Sequence, residues 1–220
     1  MMILLTLLLG FALFVLASAL PKLAGFDGQL HPWLPQVLTK LIMLIEAFAL
    51  MFISRRKLSE YGFRRGTGRS GRLILAGLGL GATATAFILI AGLPGLRPMM
   101  QRFTFLQIVI TIWIWSSVVE EIFVRGWLQT AIARQGASPR VQVLLSGAFF
   151  GALHLSLLRI GIDPASVATI VIATFLLGLV CATLRQRTGS LIAPILAHVA
   201  FNAGGVIGGI IGTIVTKLMK

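Results

Sequence analysis

Three short motifs hold most of the side chains that could do chemistry, and each motif lies inside an otherwise apolar stretch. In chain order they are Glu120, Glu121 and Arg125; Phe150 and His154; and His198 and Asn202. A carboxylate or guanidinium at bilayer depth costs at least about 2.5–3.5 kcal/mol on insertion scales. Such groups are tolerated where they pair, face a protein interior or form a site, so the motifs are the first candidates for function.

The composition decides the class of protein that must position these groups. Hydrophobic residues make up 57% of the 220 residues, charged residues make up 11%, and the mean hydropathy is +0.97. These values exclude an ordinary soluble domain and indicate an all-α polytopic protein whose main partner is the lipid bilayer. The net charge of +13 does not indicate a nucleic-acid partner, because the basic residues lie between apolar segments and form no soluble basic face.

The apolar segments predict seven transmembrane helices joined by short loops. They lie near residues 2–20, 33–54, 72–93, 104–131, 141–157, 165–184 and 190–215. Within a single membrane domain we assign residues 1–103 to N-terminal helices with a basic loop, and residues 104–215, the last four helices, to a core that carries the three motifs. The run Ala17-Ser18-Ala19 is typical of a signal-peptidase site, but no basic segment precedes it, so we expect residues 1–20 to be a retained helix.

The orientation follows from the basic loops. Loop 55–72 carries seven Lys and Arg residues against the single acidic residue Glu60. Positive charge marks cytoplasmic loops, which predicts that this loop and the N-terminus lie inside. The loops near Arg134 and Arg187 then fall on the same side.

A depth calculation predicts that four polar side chains meet. Glu120 and His154 each lie 14 residues from an arginine of the loop between their helices, which corresponds to about 21 Å at 1.5 Å per residue. His198 and Asn202 follow Arg187 by 11 and 15 residues, or about 16 and 22 Å. All four therefore lie near one plane of the membrane.

Helical phase assigns different tasks to the charged residues of the first motif. Glu121 and Arg125, four residues apart, are predicted to form an ion pair. Glu120 is rotated by about 100° from Glu121 and is left to face the histidines as a candidate general base. His198 and Asn202 share one helix face, from which their hydrogen-bond donors could stabilise an oxyanion.

Other residues are expected to shape the bundle. Pro194 is predicted to bend the last helix and aim its polar face. Lys40 and Glu46, six residues apart, are expected to find partners elsewhere in the bundle. Cys181 is predicted to be buried and inert. Small residues at four-residue spacing predict close helix packing; they are Gly77 and Gly81, and Gly204, Gly208 and Gly212.

These residues alone leave two other interpretations open. The polar groups could simply tie helices together, or Glu120, His154 and His198 could bind zinc. No His-Glu-x-x-His run is present, so the familiar helix-borne zinc protease motif is absent from the sequence.

The order Glu-Glu-x-x-x-Arg, Phe-x-x-x-His and His-x-x-x-Asn on successive segments resembles the CPBP family of intramembrane proteases. That family comprises type II CAAX prenyl-protein endopeptidases and bacteriocin-processing and immunity proteins. The resemblance covers roughly residues 104–203 and includes Gly126 and the run from Thr188 to His198.

The resemblance implies an intramembrane endopeptidase that acts on a membrane-associated or lipidated protein. It implies that Glu120 and His154 activate water while His198 and Asn202 stabilise the oxyanion. Members are often labelled metalloproteases, but we expect a glutamate-dependent mechanism without a cofactor and leave zinc open. Some relatives act through partners, so a non-proteolytic scaffold, immunity or regulatory protein is the alternative, followed by a proton-coupled transporter. The expected location is a bacterial inner membrane.

Overall fold

The architecture is a bundle of long helices. The computed structural model describes residues 1–26, 31, 33–67, 70–96 and 101–219, and these residues contain no β-strand. Within them, seven helices are long and apolar enough to cross a membrane. They are α1 (Met2–Leu23), α2 (Leu34–Ile53), α3 (Gly71–Ile90), α4 (Phe105–Arg134), α5 (Pro139–Ile160), α6 (Pro164–Thr188) and α7 (Ile192–Leu218). The predicted all-α polytopic membrane fold is confirmed, and the chain is an integral membrane protein.

Helix α4 is not a regular α-helix. Two π-helical stretches, Ile108–Ser116 and Ile122–Leu128, flank the short α-helical turn Ser117–Glu121 that carries both glutamates. A π-helix shifts each backbone hydrogen bond by one residue, and such stretches occur frequently at functional sites. The Ser116 hydroxyl donates to the carbonyl of Thr111 at 3.1 Å within the first stretch. The prediction from helical phase assumed an ideal α-helix. That assumption is wrong on both sides of the glutamates.

Helix α5 changes its geometry at a motif residue. It is α-helical over Pro139–Leu153 and continues as a 3₁₀ helix over His154–Ile160. Gly161, with φ of +81°, ends this segment in the left-handed conformation that glycine adopts without steric cost. His154 thus lies where the helix narrows.

Helices α3 and α7 approach so closely that several of their glycines cannot be replaced without movement. A Cβ atom on Gly77 would lie 2.5 Å from the carbonyl oxygen of Ala197, and one on Gly81 would overlap the carbonyl oxygen of Phe201. Gly204 makes the reciprocal close contact with the α3 backbone. The predicted packing through small residues is confirmed, and it fixes the helix that carries His198 and Asn202.

Pro194 does not bend α7. The helix begins at Ile192, so Pro194 lies in its first turn. The N–H groups of a first turn have no partner within the helix, and proline removes no helical hydrogen bond there. The predicted bend is wrong because the helix starts later than the apolar run.

The loop after α2 packs tightly against the bundle. We call residues 58–67 the strap. Its Gly62 carbonyl accepts a hydrogen bond from the N–H of Leu191 at 3.0 Å, and Arg64 Nε donates to the Gly189 carbonyl at 2.8 Å. Thr67 N–H donates to the Thr188 carbonyl at 3.2 Å. The strap therefore covers the junction between α6 and α7.

Candidate active site

All four predicted catalytic side chains line one cavity. Its volume is about 360 Å³, and Glu120, His154, His198 and Asn202 all form part of its wall. Helices α1 and α2 also contribute wall residues, which nothing in the motifs indicated. The convergence predicted from depth is present in the structure, in a concave and mainly apolar site of the kind that binds substrates.

The Glu121–Arg125 ion pair is present and completely buried. Arg125 Nη1 lies 2.9 Å from Glu121 Oε1, and both side chains are 0% exposed. Arg125 Nη2 donates to the Gly178 carbonyl of α6 at 3.0 Å, and its guanidinium lies 4.6 Å from the ring centre of Phe150. The pair thereby ties α4 to α5 and α6.

His198 lies between the two glutamates. Its Nδ1 lies 3.0 Å from Glu121 Oε1, and its Nε2 lies 3.7 Å from Glu120 Oε2. An ionised carboxylate only accepts hydrogen bonds, so Nδ1–H donates to Glu121 and Nε2 is left facing Glu120 and the cavity. Glu121 is thus more than the ion-pair partner predicted from phase, because it also orients the imidazole.

Glu120 has a closer partner than either histidine. Lys40 Nζ, from α2, lies 2.5 Å from Glu120 Oε1, and the two side chains are 15% and 11% exposed. The expectation of a partner elsewhere in the bundle is confirmed for Lys40, but its identity was missed. The depth calculation could have found it, because Lys40 precedes Arg55 by 15 residues, or about 22 Å.

The hydrogen bond of His154 determines which of its two ring nitrogens is available to the cavity. Nδ1 lies 3.0 Å from the carbonyl oxygen of Phe150. A carbonyl only accepts, so Nδ1 carries the hydrogen, and the Nε2 lone pair of the neutral ring is available to accept a proton or a hydrogen bond. This tautomer suits a residue that orients or deprotonates water.

Asn202 is held by the first π-helical stretch and the turn after it. Its Nδ2 donates to the Ser117 hydroxyl at 3.0 Å and, at 3.4 Å, to the carbonyl of Ile112. The predicted picture of a side chain free to donate into the cavity is therefore incomplete, because in this structure the amide hydrogens face α4. Ser117, fully buried, is a site residue that the motifs did not identify.

The residues do not form a metal site. Among the residues that the structure describes, no three His, Cys, Asp or Glu side chains are grouped closely enough to hold a metal ion. The Lys40 ammonium occupies one oxygen of Glu120, and Arg125 and His198 share one oxygen of Glu121. The zinc set Glu120, His154 and His198 is therefore not assembled as a metal site among the described residues.

Comparison with known proteins assigns the class. A model of the Rce1-like family, described as type II CAAX prenyl endopeptidase Rce1-like, matches residues 102–204. The match covers α4 to α6, the start of α7 and all three motifs, so the chain is a CAAX-type intramembrane endopeptidase in general class, a hydrolase. This confirms the resemblance inferred from the motifs. No curated protein and no solved structure gave a match.

Proposed function

We propose that the chain hydrolyses a peptide bond in a membrane-associated or lipidated protein, with Glu120 and His154 activating water and His198 and Asn202 stabilising the oxyanion. The observation that carries the proposal is the position of these four side chains around one cavity. Their hydrogen bonds leave Glu120 Oε2, His154 Nε2 and His198 Nε2 as the atoms available to reactants.

The proposed reaction uses these atoms one after another. Glu120 takes a proton from a water molecule that His154 Nε2 orients, while the water oxygen bonds to the peptide carbon. The carbonyl oxygen becomes an oxyanion next to His198 Nε2. In the proposed reaction His198 carries a proton on each ring nitrogen before the attack, keeps both, and donates the Nε2 hydrogen to the oxyanion, while Asn202 exchanges its long bond to Ile112 for the oxyanion. Glu120 then passes the proton to the leaving nitrogen as the C–N bond breaks.

Lys40 acts in this sequence as a positioning residue. Its ammonium binds Glu120 Oε1, and the other oxygen, Oε2, faces His198. Anchoring one oxygen fixes which lone pair meets the water, and a positioned base reacts far faster than one that must be oriented at each turnover. The ammonium also neutralises a carboxylate that lies deep in an apolar surrounding.

The proposed substrate class combines the family description with the shape of the site. A prenylated peptide ending in a CAAX sequence carries its own membrane anchor, and the mainly apolar cavity wall accepts aliphatic side chains next to the cleaved bond. The proposed location is a bacterial inner membrane, and no metal takes part.

Substitution of the water-activating residues tests the function. In detergent or nanodiscs, Glu120→Gln and His154→Ala should each lower kcat/KM on a fluorogenic prenylated CAAX peptide by about 10²- to 10⁴-fold, the usual contribution of a general base. Protein abundance in the membrane should stay unchanged.

The matched controls change the same residue types away from the cavity. Glu60→Gln removes an exposed carboxylate of the strap, and His31→Ala removes an exposed imidazole. Both should keep wild-type activity. Cleavage that persists in the Glu120 and His154 variants would instead assign the protein to the scaffold or regulatory alternative.

A further inference from the structure

The cavity continues beyond the catalytic groups along α5. Its wall on this helix runs from Leu153 and His154 to Arg159 and Ile160. The segment His154–Ile160 is a 3₁₀ helix, which rises about 2.0 Å per residue. Arg159 follows His154 by five residues, so its backbone lies roughly 10 Å farther along the helix axis.

Helices α1 and α2 extend the wall in the same direction. α2 ends beside the strap, and α5 begins at that end of the bundle, because Arg134, five residues before α5, donates to the Tyr61 hydroxyl at 2.8 Å. The end of α1, the start of α2 and the end of α5 therefore lie at the opposite end. There the cavity wall includes Lys22 in the last turn of α1 and Pro35 in the first turn of α2. We call the part of the wall formed by Lys22 and Arg159 the cationic end.

The cationic end carries positive charge that the described part of the chain does not neutralise. The charged side chains of the cavity wall are Lys22, Lys40, Arg159 and Glu120. Lys40 and Glu120 pair with each other, and neither Lys22 nor Arg159 forms a salt bridge with a described residue. Both are exposed. The wall therefore presents two cations that are available to an anionic group of a bound molecule.

The proposed substrate carries one anion at a matching distance. A CAAX sequence ends in a free α-carboxylate, which is ionised at neutral pH. Any bond within this four-residue sequence lies at most three residues from that carboxylate, and three extended residues span about 10 Å. This matches the roughly 10 Å along α5 from His154 to Arg159. A substrate whose carboxylate lies at the cationic end therefore has the bond after its prenylated cysteine at the catalytic groups.

We propose that Lys22 and Arg159 bind the C-terminal carboxylate of the substrate and so position the bond after the prenylated cysteine at Glu120. The guanidinium donates two parallel N–H bonds to the two carboxylate oxygens, and the ammonium adds a second cation. This role rests on the proposed hydrolase function and narrows its substrate class to chains that end about three residues after the cleaved bond.

The role of the cationic end is tested with two prenylated CAAX peptides of one sequence, the first ending in a carboxylate and the second in a carboxamide. In nanodiscs, the wild-type protein should cleave the carboxylate peptide with a KM lower by about 10-fold or more, the scale of a charge-assisted hydrogen bond. Arg159→Gln and Lys22→Met should each raise that KM toward the value for the carboxamide, with kcat near wild type because both cations lie away from the reacting atoms. Equal KM values for the two peptides with the wild-type protein would overturn the proposal.

Matched controls change exposed cations outside the cavity wall. Arg56→Gln and Lys57→Met remove an arginine and a lysine between α2 and the strap, and both should keep the wild-type preference for the carboxylate. If Arg159→Gln and Lys22→Met raise KM for both peptides equally, the two cations stabilise helix ends or bind lipid phosphates, and the proposal is rejected.

Charge reversal separates recognition from structural damage. The double variant Lys22→Glu and Arg159→Glu should favour a third peptide, in which an aminoethylamide cation replaces the carboxylate, over the carboxylate peptide. A structural defect would lower cleavage of all three peptides alike and would contradict the proposal.

A binding measurement separates this site from the hydrolase function. His154→Ala keeps the Lys40–Glu120 pair and removes a water-activating residue, so the bound peptide stays intact. By fluorescence anisotropy in nanodiscs, this variant should bind the labelled carboxylate peptide about 10-fold or more tightly than the carboxamide, and adding Arg159→Gln should remove the difference. If the wild-type protein cleaves neither peptide, the proposed function fails, whereas the difference in binding still decides the carboxylate site. Equal binding of the two peptides would overturn that site.

Discussion

Two adjacent glutamates of α4 belong to two different regions. The buried region consists of Glu121, Arg125, the Gly178 carbonyl and the Nδ1 side of His198, and both charged side chains in it are 0% exposed. The cavity region consists of Glu120, Lys40, His154 and the Nε2 side of the same imidazole. His198 is thus shared between a region without solvent and a region that receives reactants.

The difference between the two regions separates structural support from the proposed reaction. In the buried region, geometry and charge are fixed, since removing one partner of a buried pair leaves an uncompensated charge. In the cavity region, Glu120, His154 and His198 each have one polar atom held by a partner and a second polar atom left available. One turn of helix thus supplies a residue to the buried region and a residue to the cavity region, because neighbouring residues point in directions about 100° apart.

The strongest way to break this comparison is to remove the charge of the buried glutamate. Glu121→Gln leaves the Arg125 guanidinium without its counter-ion, at a cost of about 3–5 kcal/mol in stability. We expect a large fall in melting temperature, measured by tryptophan fluorescence in detergent, together with loss of membrane abundance.

The matched variant is Glu120→Gln, one residue earlier. It should abolish cleavage with a far smaller change in melting temperature, because Glu120 borders the cavity. Equal destabilisation by the two substitutions would show that the regions are not distinct.

Lys40 provides the next test, within the cavity region. Lys40→Met keeps an unbranched side chain that is one atom shorter and removes the ammonium, so Glu120 loses its anchor. We expect kcat to fall about 10²-fold, the scale of a misplaced reacting group, with KM little changed. Lys40→Arg, which keeps the charge, should recover part of the rate.

Two controls separate positioning from general charge effects. Lys22→Met removes a cation from the wall of the same cavity and should leave kcat near wild type. In a double-mutant cycle of melting temperatures, Lys40→Met and Glu120→Gln should be non-additive because their side chains touch. Additive effects, or equal kcat losses for both lysine variants, would reject the role of Lys40.

The smallest expected effect comes from the packing of α7, which carries the shared imidazole. Gly81→Ala places a methyl group against the Phe201 carbonyl and must shift α7, at a cost of about 1–3 kcal/mol for overpacking. Activity should fall because His198 and Asn202 move with the helix. Gly79→Ala, on the same helix with nothing within 4 Å of the added atom, should change neither activity nor stability.

The sequence predicted what depends on spacing along one helix. Four-residue spacing identified the Glu121–Arg125 pair, and distance from the basic loops brought Glu120, His154, His198 and Asn202 to one level. Both predictions succeed because lipid forces the backbone into helices of known rise, so position along the chain converts directly into depth.

The sequence did not predict contacts that depend on how helices rotate and pack. Spacing along the chain places Lys40 at the depth of Glu120, but it does not show that the Lys40 side chain turns toward Glu120. It also does not show that Asn202 meets Ser117. The π-helical stretches of α4 also have no signature in residue type, and they change which carbonyls are available to side chains such as that of Asn202. The effect of Pro194 on α7 depended on where the helix begins, because a proline in the first turn removes no helical hydrogen bond.

Glu120 lies within a continuous 30-residue helix, so this helix sets the height of the proposed water-activating carboxylate in the bilayer. A catalytic group on a loop could follow its substrate, but one in the middle of a spanning helix keeps a nearly constant height in the bilayer. Membrane thickness then selects which bond of an anchored chain reaches it, because hydrophobic mismatch shifts or tilts helices. Vesicles of short- and long-chain lipids should therefore yield products cut at different bonds of one substrate.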